Sequence, residues 1–375
     1  MKQMIIDSNT LAFFELLRAG LWEKETQLSQ NKGVDYAAIL KIAEAQSVVG
    51  LITDGLEQVK DVKIPQVWTL QFIGAALQIE QRNKAMNVFV EQLTGKLREG
   101  DVYALLVKGQ GVAQCYERPY WRACGDIDLL LTEENYKRAK EILIPLASTV
   151  DPEDKVAKHL ALTIESWMVE LHGSLHSGLT HRIDCVIDSV QNDVFYGGNV
   201  RSWMNGKTQV FLPGVDNDVI FIFTHILQHF FKGGIGLRQV CDWCRLLWTY
   251  RESLNNELLA SRIRKAGLLT EWKAFAALAV DYLGMPVEAM LLYSPSKKWK
   301  RKAKKILDFI LETGNFGHNR DKSYHSKYPL VVYKAISFWR NTWDSIRHFM
   351  IFPKDATIVW FVRLGDGVRA VLKKS

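Results

Sequence analysis

The sequence has few cysteines, no long apolar run and no low-complexity linker, and each lack excludes a class of protein. Five cysteines among 375 residues do not form a disulfide framework, and reduced thiols are expected. No uninterrupted stretch of about 18 apolar residues occurs, which argues against a membrane span. The N-terminus meets Asp7, Glu15 and Arg18 before any long apolar core and does not resemble a signal peptide. We therefore expect a cytoplasmic protein.

Outside one segment, the chain has equal total numbers of basic and acidic residues. The chain carries 48 basic and 41 acidic residues, a formal net charge of +7. Seven of the nine residues from Lys297 to Lys305 are basic, and they account for the whole excess. Charge therefore does not indicate a nucleic-acid-binding protein as a whole. It marks the patch 297–305, for which an anionic membrane surface, RNA and plain solvent are the three alternatives.

Composition and hydrophobic periodicity predict an α+β fold. The chain is 48% hydrophobic and 24% charged, as a globular protein of two or three domains would be. Apolar residues recur at helical spacing at both ends, and short apolar runs typical of strands lie between. We predict a helical N-terminal region at 1–100, an α/β domain at 101–215, a helical domain at 216–290, and a basic, aromatic-rich helical C-terminal region at 291–375.

Two aspartates lie on one of the predicted strands, which runs from Asp126 to Leu131. Side chains alternate along a strand, so Asp126 and Asp128 share one face while Ile127 and Leu129 point into the core. Two carboxylates side by side repel, and burying them without a cation is costly. A divalent metal ion removes that cost. The alternative is an exposed edge strand with two solvated aspartates.

Basic and glycine residues precede this pair in a pattern suited to phosphate. A predicted strand ends at Val107 and is followed by Lys108 and Gly109 in a turn, with Gly111 two residues later. The backbone N–H groups of such a turn and a nearby ammonium group bind phosphate oxygens. Arg122, just before the aspartate strand, either pairs with a phosphate or holds an aspartate of that strand in a salt bridge.

A third carboxylate is expected on a neighbouring strand. Glu170 lies in a predicted hairpin over residues 159–171. Three carboxylates on adjacent strands can hold two metal ions, as phosphoryl-transfer sites do. Asp184, on what is predicted as a further strand, is a rival for this role, and Glu170 is preferred. His172 and His176 follow Glu170 closely and are expected to line the same cleft.

Two further motifs carry weaker signals. His225 and His229 are four residues apart on one face of a predicted helix, and Asp242 can complete a metal site with them. Contacts at a helix interface or to a substrate are the favoured interpretation of these histidines. Cys241 and Cys244 have no second cysteine pair, and we predict core thiols rather than a redox pair.

At these residues the chain resembles the polymerase-beta-like nucleotidyltransferase superfamily and, more narrowly, a bacterial family of uncharacterised nucleotidyltransferases. The shared pattern is Lys-Gly after the first strand, an Arg before Asp-Ile-Asp-Leu-Leu, Glu-Leu-His on a later strand, and a His-containing helix followed by Arg and Asp. The matching positions are Lys108-Gly109, Arg122, Asp126-Ile127-Asp128, Glu170-Leu171-His172, His225, His229, Arg238 and Asp242. The superfamily usually has Gly or Ser directly after the turn glycine, whereas this chain has Gln110 and then Gly111.

The resemblance implies a polymerase-beta-like nucleotidyltransferase core, a mixed sheet with helices, between helical N- and C-terminal regions. It also implies transfer of a nucleoside monophosphate from a nucleoside triphosphate (NTP) to an acceptor hydroxyl, with release of pyrophosphate. Asp126 and Asp128 would hold Mg²⁺ or Mn²⁺ against the triphosphate. Glu170 would complete the metal site and accept the proton of the acceptor hydroxyl.

The same resemblance assigns the nucleotide to the turn and its neighbours. Lys108, Gly109, Gly111 and Arg122 would bind the phosphates, and Arg238 would lie at the cleft. A phosphotransferase on the same scaffold and a catalytically inactive nucleotide-binding module are the alternatives, since fold does not fix function. The acceptor is open among a sugar, a small metabolite, a protein and RNA.

Overall fold

Helices occupy both ends of the chain and strands lie between them, which confirms the α+β prediction. The computed structural model describes residues 7–30, 33–317, 319–320 and 329–372. The helices that precede or interrupt the sheet are α1 (Ser8–Trp22), α2 (Tyr36–Gln46), α3 (Val49–Glu57), α4 (Gln66–Glu99), α5 (Gly109–Ala113), α6 (Glu133–Leu143) and α7 (His181–Phe195). The helices that follow the sheet are α8 (Val215–Lys232), α9 (Leu237–Thr249), α10 (Asn256–Lys265), α11 (Leu269–Asp281), α12 (Lys297–Thr313), α13 (Leu330–Phe349) and α14 (Pro353–Leu372).

Seven strands form one mixed sheet in the order β3-β4-β5-β2-β1-β7-β6. The strands are β1 (Leu105–Val107), β2 (Asp126–Leu130), β3 (Ala147–Val150), β4 (His159–Ile164), β5 (Trp167–His172), β6 (Val200–Asn205) and β7 (Thr208–Pro213). The pairs β2–β5 and β1–β7 are parallel, and the other pairs are antiparallel. The short strands β1, β2 and β5 therefore lie side by side in the middle of the sheet.

The two faces of the sheet belong to two different hydrophobic clusters. Ile127 and Leu129 of β2 pack with the buried face of α4 and with α6. Leu130, on the opposite face, packs in the larger cluster with the helices that follow the sheet. This alternation confirms the predicted orientation of β2, because the residues between the core positions, Asp126 and Asp128, face away from α4.

The long helix α4 is tied to the loop that leads into β2. The amide of Asn83, fully buried, donates hydrogen bonds to the carbonyl oxygens of Tyr120 at 2.7 Å and Arg122 at 2.8 Å. Its carbonyl oxygen accepts a hydrogen bond from the side chain of Gln110 at 2.9 Å. One side chain thus fixes both the turn after β1 and the approach to β2.

The segment around Asp184 is a helix, and the prediction of a strand there is wrong. The buried residues Ile183, Val186, Ile187 and Val190 recur at helical spacing in α7. Thr180 caps the helix, because its side chain accepts a hydrogen bond from the N–H of Ile183. A window that stops after four or five residues cannot distinguish this period from a short buried strand.

Three strands, β3, β6 and β7, were not predicted. Strands β3 and β6 are the edges of the sheet, and most of their residues are exposed or only half-buried. An edge strand needs few apolar residues, so its sequence lacks the pattern that marks a strand. Strand β7 lies between β1 and β6 and pairs with β6 in a hairpin, and its apolar run, Val210 to Leu212, is only three residues long.

The basic patch 297–305 lies on α12, whose other face is buried. Ala303, Ile306 and Ile310 belong to the core. Lys302 and Lys305 donate hydrogen bonds to the carbonyl oxygens of Ile351 and Met350, just past the end of α13, where cations stabilise exposed carbonyl groups. A membrane or RNA partner for this patch stays a prediction, as does the division of the chain at residues 100, 215 and 290. No helix in the described part of the chain is both long and apolar enough to cross a membrane.

Replacement of Asn83 tests the link between α4 and the loop before β2. We expect Asn83→Ala to lower the free energy of unfolding by about 2–4 kcal/mol, because two buried carbonyl groups and the Gln110 amide lose their partners. Urea denaturation followed by circular dichroism measures this change. Gln81→Ala, at an exposed position of the same helix, is the matched control and should change little. An equal loss in both variants would contradict the link.

Candidate active site

The parallel pairing of β2 and β5 brings the three predicted carboxylates together. Asp128 lies opposite Glu170 in this register, and Asp126 is two residues earlier on the same face. One oxygen from each of the three carboxylates lies within 4.8 Å of the other two. We call Asp126, Asp128 and Glu170 the carboxylate cluster.

Asp128 is the most buried member of this cluster and contacts two nitrogen groups. Its side chain is 1% exposed, and one carboxylate oxygen lies 2.7 Å from Lys108 Nζ and 2.8 Å from His172 Nε2. Burial opposes the charge of Lys108, but the neighbouring charge of Asp128 raises the pKa of this lysine above its usual value. Lys108 therefore carries a positive charge inside the site.

The backbone of Lys108 adopts a conformation that few non-glycine residues take. Its φ is 58° and its ψ is −143°, which costs on the order of 1–3 kcal/mol. Gly109 follows with φ 42°, and a Cβ there would lie 3.3 Å from Cys124 Sγ. The sharp turn directs the ammonium group of Lys108 toward Asp128, and the ion pair helps to hold the strained conformation.

Histidines surround Glu170. His159 Nε2 and His172 Nε2 lie 3.2 Å and 3.5 Å from the same oxygen of Glu170. Burial opposes ionisation of Glu170, but the hydrogen bonds from the two histidines lower its pKa well below the usual range. Burial alone would lower the pKa of His172, but its hydrogen bonds with Asp128 and Glu170 raise it above the usual value. Glu170 is therefore ionised.

Asp126 has the opposite electrostatic environment. Burial raises its pKa above the usual value, and the charge of Asp128 raises it further. An additional cation near Asp126 and Asp128 would relieve this repulsion. The carboxylate cluster fits a divalent ion such as Mg²⁺ or Mn²⁺, because it offers only oxygen ligands, which these ions prefer at about 2.1 Å.

The turn after β1 has one residue that differs from the usual pattern of the superfamily, Gln110. Its side chain points toward α4, where it donates hydrogen bonds to Asn83 and to the sulfur of Met86. Gly111 is buried, and a Cβ there would lie 2.7 Å from Leu212. Packing against the sheet and α4 therefore accounts for both residues. Gly109 lines the cleft beside the carboxylate cluster.

Arg122 forms a salt bridge, but with Asp242 rather than with an aspartate of β2. Its Nε and Nη2 atoms donate to the two oxygens of Asp242 at 2.9 Å and 2.6 Å. Tyr116 donates a third hydrogen bond to this carboxylate at 2.8 Å. Burial raises the pKa of Asp242, but Arg122 outweighs this effect and keeps it below the usual value. The Nη1 atom of Arg122 is buried without a hydrogen-bond partner among the described residues.

A cleft of about 470 Å³, including its open mouth, lies beside the carboxylate cluster, and Glu170, His172 and His229 are not among the residues that line it. Lys108, Arg122, Arg238, His225 and the two aspartates of β2 contribute to its wall. Arg238 donates a hydrogen bond to the carbonyl oxygen of Ala123 at 2.6 Å, and its Nε atom has no partner among the described residues. Arg122 and Arg238 thus both line the cleft, and each keeps one buried N–H group without a partner among the described residues.

His225 and His229 form a pair on α8 rather than a set of three ligands with Asp242. Their Nε2 atoms are 3.0 Å apart, and the ring of Phe316 stacks edge-on against His229. Burial and the charge of Lys108 lower the pKa of His225 and lower that of His229 to about 4. The carboxylate of Asp242 is paired with Arg122 rather than directed at the histidines. This favours the interpretation of His225 and His229 as cleft or interface residues.

Other predicted residues lie outside the cleft. Asp184 accepts a hydrogen bond from the N–H of Ser177 at 2.9 Å and is absent from the acidic groups that can hold a metal ion among the described residues. His176 contacts Asp188 at 2.6 Å. Cys241 and Cys244 are buried free thiols, as expected for core cysteines.

Sequence reasoning missed His159, which contacts Glu170 from β4. A signal for it exists in the predicted hairpin. The turn at 165–166 has two residues, and counting outward from it pairs His159 with His172. Tyr116, the second partner of Asp242, gave no such signal because it lies 126 residues away from that aspartate.

Comparison with known proteins adds one match. A family model described as an uncharacterised nucleotidyltransferase matches residues 32–284 of the chain. No curated protein and no solved structure matches. The matched residues include the whole sheet, the carboxylate cluster, Arg122 and Asp242.

Neutralisation of Asp242 tests the buried ion pair. We expect Asp242→Asn to lower the free energy of unfolding by about 3–5 kcal/mol, because Arg122 would remain charged and buried without its partner. The asparagine keeps an oxygen for the hydroxyl of Tyr116. Glu252→Gln removes one partner of the exposed pair Arg251–Glu252 and should cost less than about 1 kcal/mol. Chemical denaturation of both variants gives the comparison, and similar losses would refute a special role for the buried pair.

Proposed function

The chain belongs to a family of uncharacterised nucleotidyltransferases, and from this premise we propose that it transfers a nucleoside monophosphate from an NTP to an acceptor hydroxyl. The observation that supports this proposal most strongly is the carboxylate cluster, whose three oxygens lie within 4.8 Å of one another. Clusters of this kind hold the divalent ions that accompany NTP substrates.

Asp126, Asp128 and Glu170 are the proposed metal ligands. A bound Mg²⁺ or Mn²⁺ would neutralise phosphate charge and orient the triphosphate. The residues contribute rigidity, since all three lie on paired strands in the centre of the sheet. Rigid ligands hold the reacting groups in line without further ordering during the reaction.

Lys108, Arg122 and Arg238 are the proposed phosphate-binding residues. Lys108 is charged and lies at the edge of the carboxylate cluster. The unpaired N–H groups of Arg122 and Arg238 can donate to phosphate oxygens without breaking the contacts that hold each side chain. Buried donors of this kind stabilise charge that moves toward pyrophosphate in the transition state.

In the proposed reaction the acceptor oxygen attacks the α-phosphorus of the NTP. The bond between this phosphorus and the bridging oxygen breaks, and pyrophosphate leaves with that oxygen. The proton of the acceptor hydroxyl passes to Glu170.

Labelled NTPs distinguish this reaction from the two alternatives. The full chain, Mg²⁺ and an extract of the source cells are incubated with each NTP labelled at the α-phosphate or at the γ-phosphate. We expect the α-label to appear on an acceptor and the γ-label to appear in pyrophosphate. Transfer of the γ-label would indicate a phosphotransferase, and NTP binding without transfer would indicate an inactive nucleotide-binding module. Either result would overturn the proposal.

Substitutions test the carboxylate cluster separately. We expect Asp126→Asn, Asp128→Asn and Glu170→Gln each to lower the transfer rate by about 100-fold or more, because each removes a charged metal ligand. Asp184→Asn is the matched control, since Asp184 was the rival for the third acid, and its rate should be unchanged. Circular dichroism spectra verify that each variant is folded. An active Glu170→Gln together with an inactive Asp184→Asn would mean that the third acid is assigned wrongly.

A further inference from the structure

We propose that His159, Glu170 and His172 form a binding site for a divalent transition metal, adjacent to the carboxylate cluster. The Nε2 atoms of the two histidines lie 3.2 Å and 3.5 Å from one oxygen of Glu170. All three donor atoms lie within 4.8 Å of one another. Metal binding by these three residues goes beyond the proposed function, because it requires neither a nucleotide nor an acceptor.

The site is built by a hairpin with a fixed register. Strands β4 and β5 are joined by a two-residue turn and pair His159 directly with His172. Glu170 lies two residues before His172 and therefore points to the same face. The imidazole rings are 4.9 Å apart between centroids. Because the three side chains project from paired strands, their separation varies little.

The distances suit a metal ion that contacts all three residues. Histidine nitrogen and carboxylate oxygen bind Zn²⁺ at about 2.0–2.2 Å, so two such ligand atoms on one ion are about 3–3.5 Å apart. The distances from the Nε2 atoms of His159 and His172 to the Glu170 oxygen, 3.2 Å and 3.5 Å, fall within this range. An ion placed among the three atoms would therefore need only small movements of the side chains.

The ligand types distinguish this site from the carboxylate cluster. Imidazole nitrogen suits Zn²⁺, Co²⁺, Ni²⁺ and Fe²⁺, whereas Mg²⁺ prefers oxygen. Glu170 is a member of both sets, and His172 Nε2 also lies 2.8 Å from Asp128. An ion bound to His172 would replace this hydrogen bond and lie close to Asp128. Asp126 is not one of the three residues of this set.

Solvent can reach the site from the side of His159. The side chain of His159 is 36% exposed, whereas that of His172 is 13% exposed. Three protein ligands leave at least one coordination position for water or a substrate atom. The exposed part of His159, which is not among the residues that line the cleft, gives an ion a path to this site.

A Co²⁺ titration tests the site in the absence of nucleotide. The full chain is treated with a chelator, desalted and titrated with Co²⁺, whose visible absorption reports on nitrogen ligands. We expect one Co²⁺ per chain at this site, and an excess of Mg²⁺ should not displace it. His159→Gln keeps a hydrogen-bond donor near Glu170 but removes the imidazole, so it should weaken Co²⁺ affinity by about 10- to 100-fold or more. A hydrogen-bonding role alone would leave the affinity unchanged, and this result would overturn the proposal.

Two controls identify the site and separate it from the proposed function. His176→Gln changes a histidine that is 37% exposed and contacts Asp188, and its Co²⁺ affinity should equal that of the wild type. Asp126→Asn should lose nucleotide transfer but keep the Co²⁺ absorption. Co²⁺ bound equally by the wild type and His159→Gln but lost in His229→Gln would place the ion at the histidine pair of α8 and refute the proposal.

Discussion

The parallel register between β2 and β5 is the constraint on which the candidate active site depends. Asp128 lies opposite Glu170 only in this register, and a shift by one residue would turn the aspartates of β2 into the core. The shift is opposed by the other face of the same strands, where Ile127, Leu129 and Val169 are 4% exposed or less. Exposing these side chains would cost roughly 1.5–3 kcal/mol each. The hydrophobic core beneath α4 thus determines where the carboxylates lie.

Placing several negative charges at a buried edge requires positive charges from elsewhere in the fold. Asp128 forms an ion pair with Lys108, which follows the end of β1. Asp242 of α9 forms an ion pair with Arg122 of the loop before β2. Each ion pair therefore joins two segments of the cleft wall. A buried ion pair adds little net stability over an apolar pair, but losing one partner is costly. The pairs specify the cleft geometry more than they stabilise the fold.

The sequence predicted the parts of the site that depend on local periodicity. Alternation along β2 placed Asp126 and Asp128 on one face, and the hairpin containing Glu170 was recognised from two short apolar runs. The partner of Arg122 was not predictable, because Asp242 lies 120 residues away and only tertiary packing brings it near. The edge strands and α7 were missed for a different reason, since exposed strands and short windows carry little periodic signal. Local pattern thus predicts orientation, whereas pairing between distant segments requires the folded chain.

The charges within the cleft point to a substrate that is itself strongly anionic. One part of the wall carries Asp126 and Asp128, which favour divalent cations, and another carries Lys108, Arg122 and Arg238. A neutral ligand would leave the unpaired N–H groups of the arginines buried without acceptors, which costs about 1–3 kcal/mol for each group. In the proposed function, a triphosphate with its metal ions would contact both parts of the wall at once. None of the residues 297–305 lines the cleft, so the net charge of +7 plays no part in this recognition. The basic groups proposed to bind phosphate are few, and the fold holds them beside the carboxylates.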